Sequence, residues 1–264
     1  NLGPELRFIN YAWLLSGRED FQIKMAPWAQ FRAGLDFEGF VGNIDIELPQ
    51  PPKEGSDRGQ TLSTREIISV QRDYQLLNPA LWSEVKLDFM DKRLTVIPGL
   101  RIDYDGYLDD VALDPRLTVR YGIVKKKSIV KAGVGMFSKR PDPDESDPDF
   151  GNDEVGMEHS MHVSGGVEQQ LGERWRVDVT GFYKYLFNQI AEVPLDDVGS
   201  PLSENPARRN LLNEGKGRVY GLELLIKHKL KNGFFGWLSY TLMRSERKDP
   251  GSSNWRLFDR DQTH

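Results

Sequence analysis

Apolar and polar residues alternate with a period of two along most of the chain, while the 3.6-residue period of an amphipathic helix is scarce. In "RWRVDVTGFYKYLF", Trp175, Val177, Val179, Gly181, Tyr183, Tyr185 and Phe187 fall on one face. Arg174, Arg176, Asp178, Thr180 and Lys184 fall on the other, with Phe182 the exception. "MEHSMHVSGGVEQQL" sets Met157, His159, Met161, Val163, Val167 and Leu171 against Glu158, Ser160, Ser164, Glu168 and Gln170. "RLTVIPGLRIDY" and "PRLTVRYGI" repeat the pattern. In "GRVYGLELLIKHKLKNGFFGWLSYTLMRSER", Tyr220, Leu222, Leu224 and Ile226 share a face with His228 and Leu230, opposite Glu223, Lys227 and Lys229. An Asn-Gly then marks a tight hairpin, and Leu238, Tyr240 and Leu242 carry the apolar face back. The pattern predicts roughly a dozen strands, many exceeding the about 9–11 residues that cross a bilayer at a tilt.

The connections sort by length from about residue 88 onward. "MDKR" (90–93), "VKKKS" (124–128), "LGER" (171–174) and "KNG" (231–233) are tight. Between them stand longer connections at 105–115, 138–156 and 188–217, and another opens at Arg247. Short turns at one end and long loops at the other are a property of outer-membrane barrels. The N-terminal third is less regular: "FRAGLDFEGF" reads as a strand, and 48–60 as another outer loop. No linker divides the chain, and no repeat of solenoid period occurs.

Composition narrows the choice. The 264 residues carry 35 basic and 40 acidic side chains, a net charge of −5, so no basic field exists to neutralise nucleic-acid phosphates. Cysteine is absent, which excludes disulfides and thiolate metal sites. No apolar run is long enough for a transmembrane helix, and no basic start followed by an apolar stretch reads as a signal peptide. A mean hydropathy of −0.55 fits a soluble β-rich protein, but equally a barrel wall that sets alternate residues in lipid. Strand length and loop sorting favour the wall. Lipid then takes the apolar face, a lumen takes Glu223, Lys227 and Lys229, and neighbouring strands satisfy the backbone. Tyr183, Tyr185, Phe187, Trp237 and Tyr240 are the kind of rings that anchor strands at the membrane interfaces.

Residues 94–264 carry a resemblance in "DPRLTVRYGI", "KAGVGMFSKRPDP", "FGNDEVGMEHSMHVSGGVEQQL", "WRVDVTGFYKYLFNQI", "NEGKGRVYGLELLIK", "FFGWLSYTLMRSER" and "WRLFDRDQTH". Their order and spacing resemble the C-terminal barrel of TonB-dependent outer-membrane receptors. The resemblance implies an all-β fold: residues 1–264 as a partial antiparallel transmembrane β-barrel wall, with short periplasmic turns and long extracellular loops. It implies active uptake across the Gram-negative outer membrane of a scarce nutrient of the siderophore, cobalamin or glycan class. The implied partners are membrane lipid, a plug domain, the TonB energy-coupling protein and an extracellular small-molecule ligand. Such receptors are similar in closing about twenty-two strands around a plugged lumen. This sequence departs from them in lacking a plug, a TonB box and the final strands, and is expected to be a piece of a larger receptor. Two other readings stay open: a passive porin, and a soluble β-sheet protein that binds glycans.

No catalytic arrangement is expected, because none of the four histidines lies with a nucleophile or paired carboxylate. No cofactor or metal is expected either. His159 and His162 lie three apart on a strand and so face opposite ways. The acidic run 142–154, with Asp144, Asp147, Asp149 and Asp153, offers oxygens for Ca²⁺, but a solvated outer loop is the better reading. "GVG" (133–135) and "GKG" (215–217) lack the helix of a phosphate cradle, and lumen-facing glycines make room for packing inside the barrel. Arg208 and Arg209, in the loop "ENPARRNLLNEGKG", are the candidate ligand contacts, because guanidinium groups fork onto carboxylates and phosphates.

Overall fold

The computed structural model describes residues 7–49, 67–124, 127–148, 151–193, 211–231 and 233–263. They form β1 (Arg7–Ala26), β2 (Ala29–Pro49), β3 (Ile67–Phe89), β4 (Leu94–Asp105), β5 (Asp110–Val124) and β6 (Ser128–Lys139). A one-turn helix α1 (Pro143–Ser146) precedes β7 (Glu158–Leu171), β8 (Trp175–Glu192), β9 (Leu211–Lys231), β10 (Phe234–Lys248) and the short β11 (Arg256–Leu257). Each strand pairs antiparallel with the next, giving one 11-stranded up-and-down sheet. β1 and β11 are its edges, so the sheet is an open portion of a barrel wall.

The alternation does not bury a core. Trp13 (84 %), Leu113 (60 %) and Leu222 (48 %) remain exposed on the apolar face, and no second layer covers that face among the described residues. Strands of this kind suit hydrocarbon, which satisfies side chains but no backbone group; β2 to β9 each pair with a strand on both sides, while β10 meets β11 only at Glu246 and Arg247. β3 runs 23 residues, about twice what a tilted crossing of a bilayer needs.

Apart from the one between β4 and β5, the tight turns lie at one end. The β3–β4 turn holds Met90, Asp91 and Lys92 at positive φ, and Gly172 after β7 and Gly233 before β10 supply the left-handed position there. At the opposite end, the connection between β6 and β7 is long, as the loop sorting predicts. The 105–115 segment differs from expectation. Val111 pairs with Tyr104 and Ala112 with Asp103, so only four residues turn between β4 and β5. Trp237 also differs. It stands opposite Lys227, on the polar face, whereas Tyr240 stands opposite Leu224 on the apolar one.

Candidate functional site

The polar face is a wall of cross-strand ion pairs. Two of the networks pass over a small residue on the strand between. Asp36 of β2 accepts from Arg18 of β1 at 2.6 Å and from Arg101 of β4 at 2.6 Å. Ala80, facing Asp36 from β3, is only 4 % exposed beneath that bridge. Arg101 also forks onto Asp103 of its own strand at 2.8 Å. Further along, Lys131 of β6 reaches Asp178 of β8 at 2.7 Å. Gly166 of β7 faces Lys131, and a side chain there would collide with the Lys131 stem and Thr180. Glu168 accepts from Arg120 of β5 at 2.7 Å and from Arg176 of β8. Its carboxylate is buried, so both guanidinium groups are needed to replace its water.

These pairings cancel charge locally. The face is therefore strongly hydrogen-bonding without being a field of one sign, a lining that tolerates water and polar surfaces. Glu223 and Lys227 lie on it and are exposed, as the alternation predicts. A cleft of about 520 Å³ opens on the wall between β1 and β4, lined by Arg18, Asp36, Glu38, Arg101, Asp103 and Arg140 among others.

The rim opposite the turns is built differently. Val155, Ile190 and Leu211 pack into a small buried cluster. The Asn152 amide, 1 % exposed, donates to the Leu211 carbonyl at 2.8 Å. Asn213 accepts from the Gly156 N–H at 2.8 Å and donates to the carbonyls of Gly156 and Asn188 at 3.0 and 2.9 Å. On the other flank Arg72 of β3 pairs with Asp147 at 2.8 Å. Glu145 accepts the Asp142 N–H at 2.9 Å and the Tyr107 hydroxyl donates to the Ser146 carbonyl at 3.2 Å. The acidic loop is thus folded down onto the rim instead of solvated throughout, because Arg72 and free backbone donors draw Glu145 and Asp147 inward. Asp144 and Asp153 belong to the same loop, and Asp149 lies outside the described residues. Among the described residues no group of three His, Asp or Glu side chains converges as a metal site.

His162 faces Lys184 on the polar side and stacks on Phe137 at 4.3 Å, while His159 faces Phe187 on the other side. The two cannot share an ion. Gly133 and Gly135 lie within β6, and Gly135 leaves room for the Arg116 stem and the Phe137 ring. Gly215 and Gly217 are likewise inside a strand. The candidate ligand contacts Arg208 and Arg209 fall outside the described residues. Sequence reasoning missed the ion-pair partners because residues such as Arg101 and Asp36 are far apart in the chain. Charges at every second position are visible, but only register shows which meet.

A family model for the TonB dependent receptor-like β-barrel matches residues 6–260. Solved structures share the fold. The outer membrane transporter YddB from Escherichia coli aligns over 89 % of this chain and 33 % of its own, at 14 % identity and a TM-score of 0.63. A ferric enterobactin receptor mutant from Pseudomonas aeruginosa, solved with enterobactin, aligns over 92 % and 40 %, at 20 % identity and 0.63. The FrpB iron transporter from Neisseria meningitidis aligns over 92 % and 38 %, at 11 % identity and 0.60. The chain therefore spans between a third and two fifths of the length of these proteins. No curated protein matches the sequence.

Proposed function

The chain belongs to the family of TonB-dependent receptor β-barrels, and from that premise we propose that it forms wall and outer rim of an importer in the Gram-negative outer membrane. The cargo is a scarce nutrient taken from outside the cell as a metal chelate, cobalamin or glycan. The apolar face of the sheet contacts lipid, and the ion-paired face lines the lumen and holds a plug domain. Energy comes through the TonB protein, and this chain performs no covalent chemistry. All the tight turns except the one between β4 and β5 lie at the periplasmic end, and the connection from β6 to β7 with the ends of β8 and β9 lies outside.

The observation that carries this reading is the pairing of two unlike faces on one sheet. Apolar side chains stay uncovered on one side, while acids on the other are answered by arginine or lysine from nearby strands. A soluble sandwich needs the reverse arrangement, with the apolar face packed and the charged face wet. A uniform ionic lining also suits a polar protein surface packed within the barrel, more than a wide open pore.

Because the chain has no cysteine, single substitutions report cleanly. In membranes of cells that produce the protein, Leu224→Cys is expected to resist a water-soluble maleimide and to take a lipid-soluble one. Reaction of Leu224→Cys with the water-soluble reagent removes the wall assignment. Uptake itself is tested in producing cells starved of iron or of cobalamin. Energised uptake that stops on collapse of the proton-motive force supports the importer, whereas steady conductance in planar bilayers without ligand supports a passive porin.

A further inference from the structure

One residue breaks the division of faces. Arg18 and Asp20 of β1 belong to the ionic side, since Arg18 pairs with Asp36, so Glu19 between them projects to the apolar side. Its column holds Trp13 and Leu15 on one flank and Phe21 and Ile23 on the other, exposed at 84, 67, 58 and 47 %. Directly across on β2 stands Leu35, with Ala33 and Phe37 on the diagonals. Gly17, two residues away, is covered by the Phe37 ring. Along β1 and β2 polar residues return to this face only toward the rim, where Asn43 donates to Asp73 of β3 at 2.7 Å, and β3 adds the uncharged Ser83 opposite Ala33. Among the described residues, Glu19 is the one acidic side chain within the apolar band, and no hydrogen bond or ion pair reaches it.

An ionised carboxylate in hydrocarbon is unfavourable without a partner, and intramembrane charges that persist are paired. β2 offers Glu19 no donor, and lipid tails offer none. The remaining neighbour is whatever covers the other edge of β1, which among the described residues hydrogen-bonds only to β2. Backbone groups on that edge must also be satisfied inside a membrane, and only another strand does so. A residue directly across a strand pair has its Cβ about 4.5–5.5 Å away, within reach of a long basic side chain. On the ionic face Asp36, Glu84, Asp178 and Glu168 each meet an arginine or lysine from a nearby strand.

We propose that Glu19 is one half of an intramembrane ion pair, and that the other half is a lysine or arginine on the outward face of a strand hydrogen-bonded to the free edge of β1. The strand is selected by charge as well as by backbone pairing. Glu19 thereby fixes register: a slip of one residue carries the cation to the opposite face of the sheet, and a slip of two moves it two positions along the strand. The inference rests on the wall reading above.

The test compares Glu19→Leu and Glu19→Gln with the unaltered protein in membranes. Removal of one partner strands the cation in hydrocarbon, so Glu19→Leu is expected to lower the urea midpoint of the heat-sensitive gel mobility shift, and Glu19→Gln to lower it less. A raised midpoint for Glu19→Leu overturns the pair, because a lone acid in lipid is relieved by leucine. The unaltered protein gives a second measurement that does not depend on folding of a variant. Dicyclohexylcarbodiimide, which enters hydrocarbon and modifies protonated carboxyl groups, is expected to leave no N-acylurea adduct on Glu19 at neutral pH by peptide mass. An adduct there also overturns the pair. Leu15→Cys and Phe21→Cys separate the two levels of the argument. Their labelling by a water-soluble maleimide means the wall reading has failed. Their protection combined with a stabilising Glu19→Leu means that only the ion pair has failed.

Discussion

From Trp175↔His228 to Leu186↔Gly217, β8 and β9 meet residue for residue, and their side chains divide into an apolar and an ionic face. Beyond Leu186 the register shifts twice, before Gln189 and again before Ala191, and Asn188 adopts a positive φ of 52°. There the same two strands stop behaving as a ladder. Asn213 and Asn152 tie backbone carbonyls together, and Ile190 and Leu211 turn into a small apolar cluster. The lower wall is held by repetition: backbone pairing continues unchanged and each face meets one uniform environment. The rim is held by particular side chains, each satisfying a group that no neighbouring strand satisfies. Damage in the wall is therefore expected to spread along the sheet, and damage at the rim to stay local.

The largest effect is expected on the apolar face of the wall. On the proposed wall, Leu224→Arg is expected to put a guanidinium into hydrocarbon at a cost of about 2–4 kcal/mol near the bilayer midplane. Lys227→Arg, on the ionic face three residues along the strand, is expected to change little. Urea unfolding followed by gel mobility measures both. Equal losses would erase the difference between the faces. Next comes Glu168→Leu. It leaves Arg120 and Arg176 without their shared acceptor, at about 1–3 kcal/mol. The guanidinium groups are partly open to water, which keeps the cost toward the lower end.

At the rim, Asn152→Ala removes a buried amide that satisfies the Leu211 carbonyl. The loss is about 1 kcal/mol, smaller than in the wall and different in kind. Faster hydrogen exchange and proteolysis are expected within 140–157, while the unfolding midpoint of the barrel stays where it was. A fall in that midpoint would mean that the rim and the wall unfold as one unit.

What the sequence made legible follows the same boundary. Alternation in "RWRVDVTGFYKYLF" and "GRVYGLELLIKHKL" placed nearly every side chain of β8 and β9 on its observed face, because strand period and burial are local properties. Trp237 reads by its type as a ring for the membrane interface, but its position opposite Lys227 sets it on the polar face. By the length sorting the 105–115 segment reads as one of the longer connections, yet Asp110 opens β5 and Pro115 lies within it. Acid content likewise suggested a solvated 142–154 loop, since nothing near Asp147 in the chain announces Arg72. The ion-pair bridges were hidden for the same reason. They depend on register across two strands, which no window of sequence contains. The fold class was legible because its signal repeats many times. The chemistry of the wall was not, because each bridge occurs once. Glu19 shows the gain from holding both views: it is an ordinary surface residue in the sequence, and an exception only once its column is known.

The smallest effect concerns the segment that folds back on β10. Asp261 accepts from the Thr263 hydroxyl at 2.7 Å and from the Ser245 N–H at 2.7 Å, and Phe258 donates its N–H to the Ser245 carbonyl at 3.0 Å. Those two bonds to the carboxylate, the one from Thr263 first, hold the Asp261 carboxyl below its ordinary value of 3.8. A carboxyl whose acidity is strengthened by docking contributes fully above its undocked pKa, and the contribution fades as pH falls through the docked one. Residues 256–263 are therefore expected to stay protected from hydrogen exchange from neutral pH down to about 4, and to lose protection progressively below it. Asp261→Asn is expected to weaken protection at neutral pH, because its amide accepts less strongly than a carboxylate, and to flatten the acid response. If this variant kept the acid response, another group would be controlling the segment. Wall strands such as β7, with backbone ladders on both edges, are expected to show no such change over the same range.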